Sequence, residues 1–252
     1  MLPEIHLGPL TLQTFGICFG LAFVTVGLVA LRRFRELALP SDWAYELVFA
    51  ALIGGLVGAR VDYLAQNWSK VSDDILGNLF SGSGLVWYGG AIGGAVGVVA
   101  WAWWRGWLGL ALLDLCAPLL ALGYAIGRIG CQVSGDGDYG KASHLPWAMA
   151  YPKGTVPTDV RVQPTPVYET VTMGLVALLL WRLRDRFEPG GLFALYLVLA
   201  GLERLLVEFV RRNSHVALGL TLPQLISIAM ILAGGAWIAT RGLRPRQVVA
   251  AA

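Results

Sequence analysis

The chain has 252 residues, of which 56% are hydrophobic and 14% charged, with a formal net charge of +3. Soluble domains carry about 25% charged residues, so this composition and a mean hydropathy of +0.64 exclude an ordinary soluble domain and point to lipid. The small positive charge, held in short Lys/Arg clusters between apolar runs, argues against a nucleic-acid partner and has the pattern of membrane topology signals.

A membrane-spanning helix needs about 20 mostly apolar residues, and seven stretches meet that need. The first runs from Thr11 to Leu31 without a charge and then meets Arg32, Arg33 and Arg35. No basic region precedes it and no small-residue cleavage pattern follows closely, so it reads as a retained first span. The second covers Trp43 to Ala65 and contains Glu46, Arg60 and Asp62. A short polar segment, Gln66 to Ser83, precedes the third span, Gly84 to Trp104, which stops at Arg105. The fourth runs from Leu108 to Gly127, with Asp114 near its start and Arg128 at its end. Cys131 to Thr165 is rich in Gly, Pro, Ser and Asp and reads as a head segment outside the bilayer. The fifth span, Pro166 to Trp181, ends in Arg182, Arg184 and Arg186. The sixth, Gly191 to Val210, holds Glu203, Arg204 and Glu208, and the seventh, Leu220 to Thr240, meets Arg241, Arg244 and Arg246.

Basic clusters follow spans one, three, five and seven. Cytoplasmic loops carry the excess of Lys and Arg, so the expectation is an all-α polytopic membrane protein with the N-terminus outside and the C-terminus inside. The whole chain, 1–252, reads as one transmembrane domain, with 131–165 capping it externally. Trp43, Trp68, Trp87, Trp104, Trp107 and Trp181 fall near span ends, where indole rings favour the interface. Gly54/Gly58, Gly90/Gly94 and Gly93/Gly97 are small-xxx-small pairs that let helices approach closely. Gly89 to Gly94 lies in a span with no strand before it, so it is not a dinucleotide loop.

Charges within spans are costly, at least ~2.5–3.5 kcal/mol each on insertion scales, and are functional hypotheses by default. Arg204, Glu208 and Arg211 lie at i, i+4 and i+7 and share one helix face. With Arg128 and Arg60 they fall in the outer half of the membrane, and surplus cations are expected after pairing. Guanidinium recognises phosphate through a bidentate fork, and the phosphate available at that depth is a phospholipid headgroup. The bland alternative has Arg204 paired to Glu208 alone, with Arg128 and Arg211 snorkelling to headgroups. Cys18, Cys116 and Cys131 have no metal-ligand spacing, and no metal or cofactor is expected. Asp136-Gly137-Asp138-Tyr139-Gly140 lacks the glutamate of a calcium loop, Trp147 standing there instead, and reads as a tight turn. Ser134 with His144 lacks the Gly-x-Ser-x-Gly elbow of a serine hydrolase.

Gly127-Arg128-Ile129-Gly130, followed by Ser134-Gly135-Asp136 and Tyr139-Gly140, resembles the signature of the prolipoprotein diacylglyceryl transferases. Other segments agree in order along nearly the whole chain: Gly58-Ala59-Arg60 with Tyr63, Trp87-Tyr88-Gly89-Gly90, Pro164 to Glu169, Arg204 to Phe209, and Gln224 to Ile228. The resemblance implies seven spans in a bacterial cytoplasmic membrane, with the active site at the extracytoplasmic face. It implies a transferase that moves diacylglycerol from phosphatidylglycerol to a cysteine thiol of a lipoprotein-precursor signal peptide. On this resemblance Arg128 and Arg204 hold the phosphate, with Arg60 secondary; Glu208 orients Arg204, and Glu169 holds an arginine in place. Ser134 and Gly135 belong to the substrate-binding signature loop, and Tyr88 or Asp136 assists deprotonation of the acceptor. The sequence departs from the family pattern where His becomes Tyr88, two Asn become Cys131 and Ser134, and Glu becomes Asp136. Open alternatives are a phospholipid-dependent transferase with another acceptor, a lipid or anion transporter, and a purely structural membrane protein.

Overall fold

The computed structural model describes residues 1–8, 10–68 and 86–245. Seven α-helices are present among these: α1 (Thr14–Glu36), α2 (Asp42–Gln66), α3 (Trp87–Trp104), α4 (Leu110–Ser134), α5 (Thr165–Leu183), α6 (Gly191–Glu208) and α7 (Leu222–Arg241). Five of them, α1, α2, α4, α5 and α7, are long and apolar enough to cross a membrane. The 18-residue α6 carries Glu203, Arg204 and Glu208 in its last turns. The chain is therefore a polytopic, helical membrane protein. The segment Gln66 to Ser83 and Arg246 fall largely or wholly outside the described residues, as does the start expected for the third span at Gly84.

Two boundaries differ from the sequence expectation in ways that matter. Three antiparallel hairpins accompany the helices, one before α1 and two between helices: β1 (Glu4–Leu7) with β2 (Leu10–Gln13), β3 (Met149–Tyr151) with β4 (Thr158–Val162), and β5 (His215–Ala217) with β6 (Leu220–Thr221). The first takes up Thr11, so α1 starts at Thr14, whose hydroxyl donates to the carbonyls of Leu2 and Pro3. Second, α4 continues seven residues past Gly127. Cys131 and Ser134, expected at the start of the head segment, are instead its last turn. Apolar composition ends at Gly127, but backbone hydrogen bonding needs no apolar side chains.

The chain divides into two compact units, residues 27–112 and residues 1–26 with 113–252. In the first, α2 and α3 pack with their backbones almost touching. A Cβ on Gly58 would lie 2.3 Å from the Gly89 carbonyl, and one on Gly93 2.2 Å from that of Gly54. The contacting stripe is Gly89, Gly93 and Gly97 rather than Gly90 and Gly94, which have more room. Asp62 accepts the Gly89 N–H at 3.0 Å. At the other end Glu46 accepts from the Trp101 indole at 2.8 Å and pairs with Arg105, beside the rings of Phe34, Trp43 and Trp107.

The second unit holds α4 to α7. Ala117, Ala121 and Ala125 of α4 meet Met173, Val176, Ala177 and Leu180 of α5 and Leu192 and Ala200 of α6 in one apolar core. Small residues on α4 let the larger ones of its neighbours fill the space. Asp114 of α4 accepts the backbone N–H groups of Gly190 and Phe193, each at 2.8 Å. A carboxylate at a helix N-terminus satisfies orphan donors and complements the dipole, so Asp114 anchors α6 against α4. Gly234 fits α7 against the Ala194 carbonyl of α6, where a Cβ would lie at 2.5 Å. Above this core, Tyr139, Tyr151 and Val162 form a small second core that fixes the β3–β4 hairpin.

Candidate active site

Glu169 lies one turn into α5 and is fully buried. It gathers four donors. Arg204 Nη1 of α6 donates to Oε1 at 2.6 Å, and the Tyr124 hydroxyl of α4 donates to the same oxygen at 2.9 Å. Oε2 lies 3.2 Å from Arg128 Nε and accepts from Arg211 Nη1 at 3.4 Å. Pro164 and Pro166 start α5 abruptly, because a proline in the first turn surrenders no helical hydrogen bond. That start delivers Glu169 to the ends of α4 and α6, where the three arginines converge.

Two further acids complete the cluster. Glu208, one turn beyond Arg204, places Oε2 2.9 Å from Arg204 Nη2 and 4.0 Å from Arg211 Nε. The first is an ion contact without aligned hydrogen-bond geometry. Glu208 Oε1 accepts from Thr221 Oγ1 and Asn213 Nδ2, both at 2.7 Å. Thr221 also caps α7 in a capping box with Gln224, so the start of α7 is tied to the acid that orients Arg204. Asp138, from the loop after α4, pairs with Arg128 through one oxygen and with Arg211 Nη2 at 2.6 Å through the other.

That loop is shaped by its glycines. Gly135 and Gly137 have φ of +62° and +95°, values that other residues reach only with strain. They turn Asp138 back over α4, where its carbonyl accepts from Thr165 Oγ1 at 2.6 Å. Burial pushes the Asp138 carboxyl up, but the Arg128 and Arg211 guanidiniums outweigh it and hold the carboxyl below its ordinary value. Asp136 goes the other way: burial dominates and raises it.

The cluster is electrostatically closed. Arg128, Arg204 and Arg211 face Glu169, Glu208 and Asp138, each guanidinium touching at least two carboxylates. The surplus of cations expected from sequence is therefore not found here: Asp138, read as a turn residue, supplies the missing charge. Nor do Arg128 and Arg211 snorkel away. Their side chains are 13% and 8% exposed and turn inward to the acids. Buried charges need such mutual satisfaction, since desolvation takes several kcal/mol per ion. Chemically, the cluster is an array of fork-shaped donors held in register by carboxylates with which a phosphate can exchange.

The other sequence candidates divide. Ser134 is buried and its hydroxyl donates to the Cys131 carbonyl at 3.4 Å, while Ser134 O and Gly135 O accept from Thr155 and Val156. Both residues build the loop rather than face the guanidiniums. With its hydroxyl so engaged and His144 exposed, Ser134 forms no dyad. Arg60 and Tyr88 belong to the other compact unit. Arg60 is buried with its guanidinium 5.2 Å from the Tyr63 ring centre, and Tyr88 sits edge-on to Trp87. Cys131, Asp136 and Asp138 bring ligand-type atoms within 4.8 Å of one another, yet two guanidiniums already occupy Asp138 and oppose a divalent cation. Sequence reasoning missed Asp138, Tyr124 and Glu203. Glu203 is 6% exposed, and its Oε1 has no hydrogen-bond partner among the described residues. Its only sequence signal was a third charge in a span.

Helices of this length and apolarity, with a buried three-by-three guanidinium–carboxylate cluster among α4 to α6 and the loop after α4, define a polytopic membrane protein. Residues 4–240 match the family model for prolipoprotein diacylglyceryl transferase. The chain belongs to that family. It is 31% identical over 239 residues to the phosphatidylglycerol–prolipoprotein diacylglyceryl transferase of Clostridium tetani, covering 90% of this chain and 94% of the relative. Identity to the Methylococcus capsulatus enzyme of the same name is 32% over 243 residues, covering 91% of each chain. The Leptospira interrogans enzyme is 32% identical over 231 residues, 81% of this chain and 73% of its own.

Proposed function

We propose that this chain transfers diacylglycerol from phosphatidylglycerol to the thiol of a lipoprotein-precursor cysteine, forming a thioether and releasing glycerol phosphate. The observation that carries this reading is the convergence of Arg128, Arg204 and Arg211 on Glu169, at the ends of α4, α5 and α6. In the reaction the acceptor sulfur forms a bond to the diacylglyceryl carbon, and the bond from that carbon to the phosphate oxygen breaks. One proton leaves the thiol and one negative charge is added to the departing phosphate. Arg128 and Arg204 hold the phosphate and take up that charge. Glu169 and Glu208 keep the guanidiniums aimed. Asp136 is a fitting proton acceptor, since burial makes its carboxylate more basic than an ordinary one. Ser134 and Gly135 shape the loop that carries Asp136.

The same reading sets the chain in the bacterial cytoplasmic membrane as a single seven-span domain, N-terminus out and C-terminus in. Arginines at the C-terminal ends of α1, α3, α5 and α7 support that orientation. Residues 135–164, between α4 and α5, form the extracytoplasmic head, and the cluster lies at that face, where outer-leaflet lipid and a translocated precursor meet.

The test uses purified protein, labelled phosphatidylglycerol and a lipobox peptide. Arg128→Ala and Arg204→Ala each abolish thioether product while leaving membrane insertion intact. Lysine replacements are also strongly impaired, because a point charge cannot form the fork. Wild-type turnover in either alanine variant refutes the phosphate clamp. A wild-type chain that consumes phosphatidylglycerol without modifying the peptide points to another acceptor.

A further inference from the structure

A polar cavity of about 390 Å³ opens beside the buried cluster, lined by Gly137, Asp138, Tyr139, Arg211, Arg212 and Asn213. It shares Arg211 and Asp138 with the cluster, so the two are continuous. Its size falls in the range of small-molecule sites, about 300–1,000 Å³. The shared arginine is already matched by carboxylates, but Arg212 is not. Among the described residues no carboxylate lies within ion-pair distance of Arg212. Its guanidinium is instead laid across the Tyr139 ring, 4.4 Å from the ring centre, with Nη2 3.4 Å from the Gly137 carbonyl. The ring fixes the guanidinium plane without neutralising it. Tyr139 is itself locked, buried against Tyr151 and donating to the Val156 carbonyl at 3.0 Å.

We propose that this cavity takes the glycerol end of the donor headgroup while Arg128 and Arg204 hold its phosphate, and then receives the whole glycerol phosphate as the free product, with Arg212 the cation that recognises it. This deepens the function proposed above and rests on it. The cavity wall sets the ligand's sign: Arg211 and Asp138 pair with one another there, and Arg212 is a cation that no carboxylate among the described residues matches, so an anion is favoured. The reaction supplies a reason for an extra cation at the outlet. The donor phosphate is a diester carrying one negative charge, whereas the released monoester carries about 1.5 to 2 near neutral pH. Polar groups of Asp138 and Asn213 on the wall offer hydrogen-bonding partners for a diol, which an inorganic phosphate would not use.

Calorimetric titration of the purified full chain with glycerol 1-phosphate, inorganic phosphate and glycerol separates these contributions. The expected result is binding of glycerol 1-phosphate more tightly than phosphate, weakened about tenfold in Arg212→Ala, as suits loss of a charged hydrogen-bond donor, and partly restored in Arg212→Lys. In the transfer assay glycerol 1-phosphate inhibits the wild type competitively with phosphatidylglycerol, and Arg212→Ala raises both the inhibition constant and the KM for the lipid. Arg212 is exposed, so the variant tests the site without disturbing the core. Equal affinity in wild type and Arg212→Ala overturns the subsite, as does a wild type that transfers diacylglycerol yet neither binds nor is inhibited by millimolar glycerol 1-phosphate. A wild type that binds glycerol 1-phosphate through Arg212 but transfers nothing supports the subsite and refutes the transferase reading.

Discussion

Replacing Glu169 with glutamine tests the organisation of the cluster directly. The substitution keeps the shape and removes one charge at a fully buried position. Oε1 can still accept from Arg204 and Tyr124, but the new amide nitrogen then faces Arg128 Nε and Arg211 Nη1, donor against donors. Three guanidiniums are left against two carboxylates. Removing one partner of a buried ion pair destabilises by about 3–5 kcal/mol. The lower figure suits this site, because Asp138 and Glu208 still hold the arginines; it corresponds to a fall of roughly 6–12 °C in unfolding midpoint for a chain of this size. The unbalanced cation has a second consequence: inorganic phosphate or phosphatidylglycerol should stabilise Glu169→Gln more than it stabilises the wild type. Thermal unfolding in detergent, with and without added phosphate, measures both effects. A midpoint within about 2 °C of wild type, or a phosphate response no larger than wild type's, refutes the charge-balance argument.

Other outcomes follow from individual acids. Asp136 has a folded-state pKa raised by burial, so its contribution to stability is present below the ordinary carboxylate value and is lost as pH rises through the raised one. Asp136→Asn should therefore be more stable than wild type at neutral pH, with the difference vanishing below about pH 4; unfolding midpoints across pH decide it, and a constant difference refutes the assignment. Glu203 buries an oxygen with no hydrogen-bond partner among the described residues. Replacing such a group by an apolar one of similar size is nearly neutral or stabilising, so Glu203→Met should unfold at or above the wild-type midpoint, and a large fall would mean that Glu203 is paired in the working protein.

The sequence carried much of this arrangement, for reasons that differ by element. Apolar runs of about 20 residues are set by lipid thickness, so the helices were legible almost to the residue in α2 and α7. The stripe of Arg204, Glu208 and Arg211 was legible because helical period is fixed. Even so, Arg211 lies just past α6, and its neighbours Glu169 and Asp138 are 42 and 73 residues away. No local pattern encodes such a meeting. Asp138 was the harder case. Its direction depends on positive φ at Gly135 and Gly137, which composition marks only as a turn. The extra turns of α4 were hidden because hydropathy measures the side chains, whereas the helix continued on backbone bonding through Arg128 and Cys131. In α3 the spacing offered two phases, Gly90/Gly94 and Gly93/Gly97; the second, extended by Gly89, touches α2, a choice made by the partner helix.

Cys131 bears on how far the departures from the family pattern alter the chemistry. It is buried in the last turn of α4, with its sulfur 3.7 Å from Arg128 Nη1. The family pattern has asparagine at this place. A thiol is a weak acceptor, whereas an amide oxygen would offer the guanidinium a charge-assisted bond of about 1.5–3 kcal/mol. If the residue serves only to steady Arg128, Cys131→Asn adds a tether and should raise kcat/KM for diacylglyceryl transfer or leave it unchanged. If the thiol itself belongs to this chain's chemistry, the same substitution should lower kcat/KM more than tenfold while the protein unfolds as before. The geometry favours the first outcome. Arg128 is already held by Asp138 and Glu169 and stacked 4.9 Å from the Tyr124 ring centre, so the long sulfur contact adds little to its position. A loss of activity without a loss of stability would overturn that view and make Cys131 the residue that sets this chain apart.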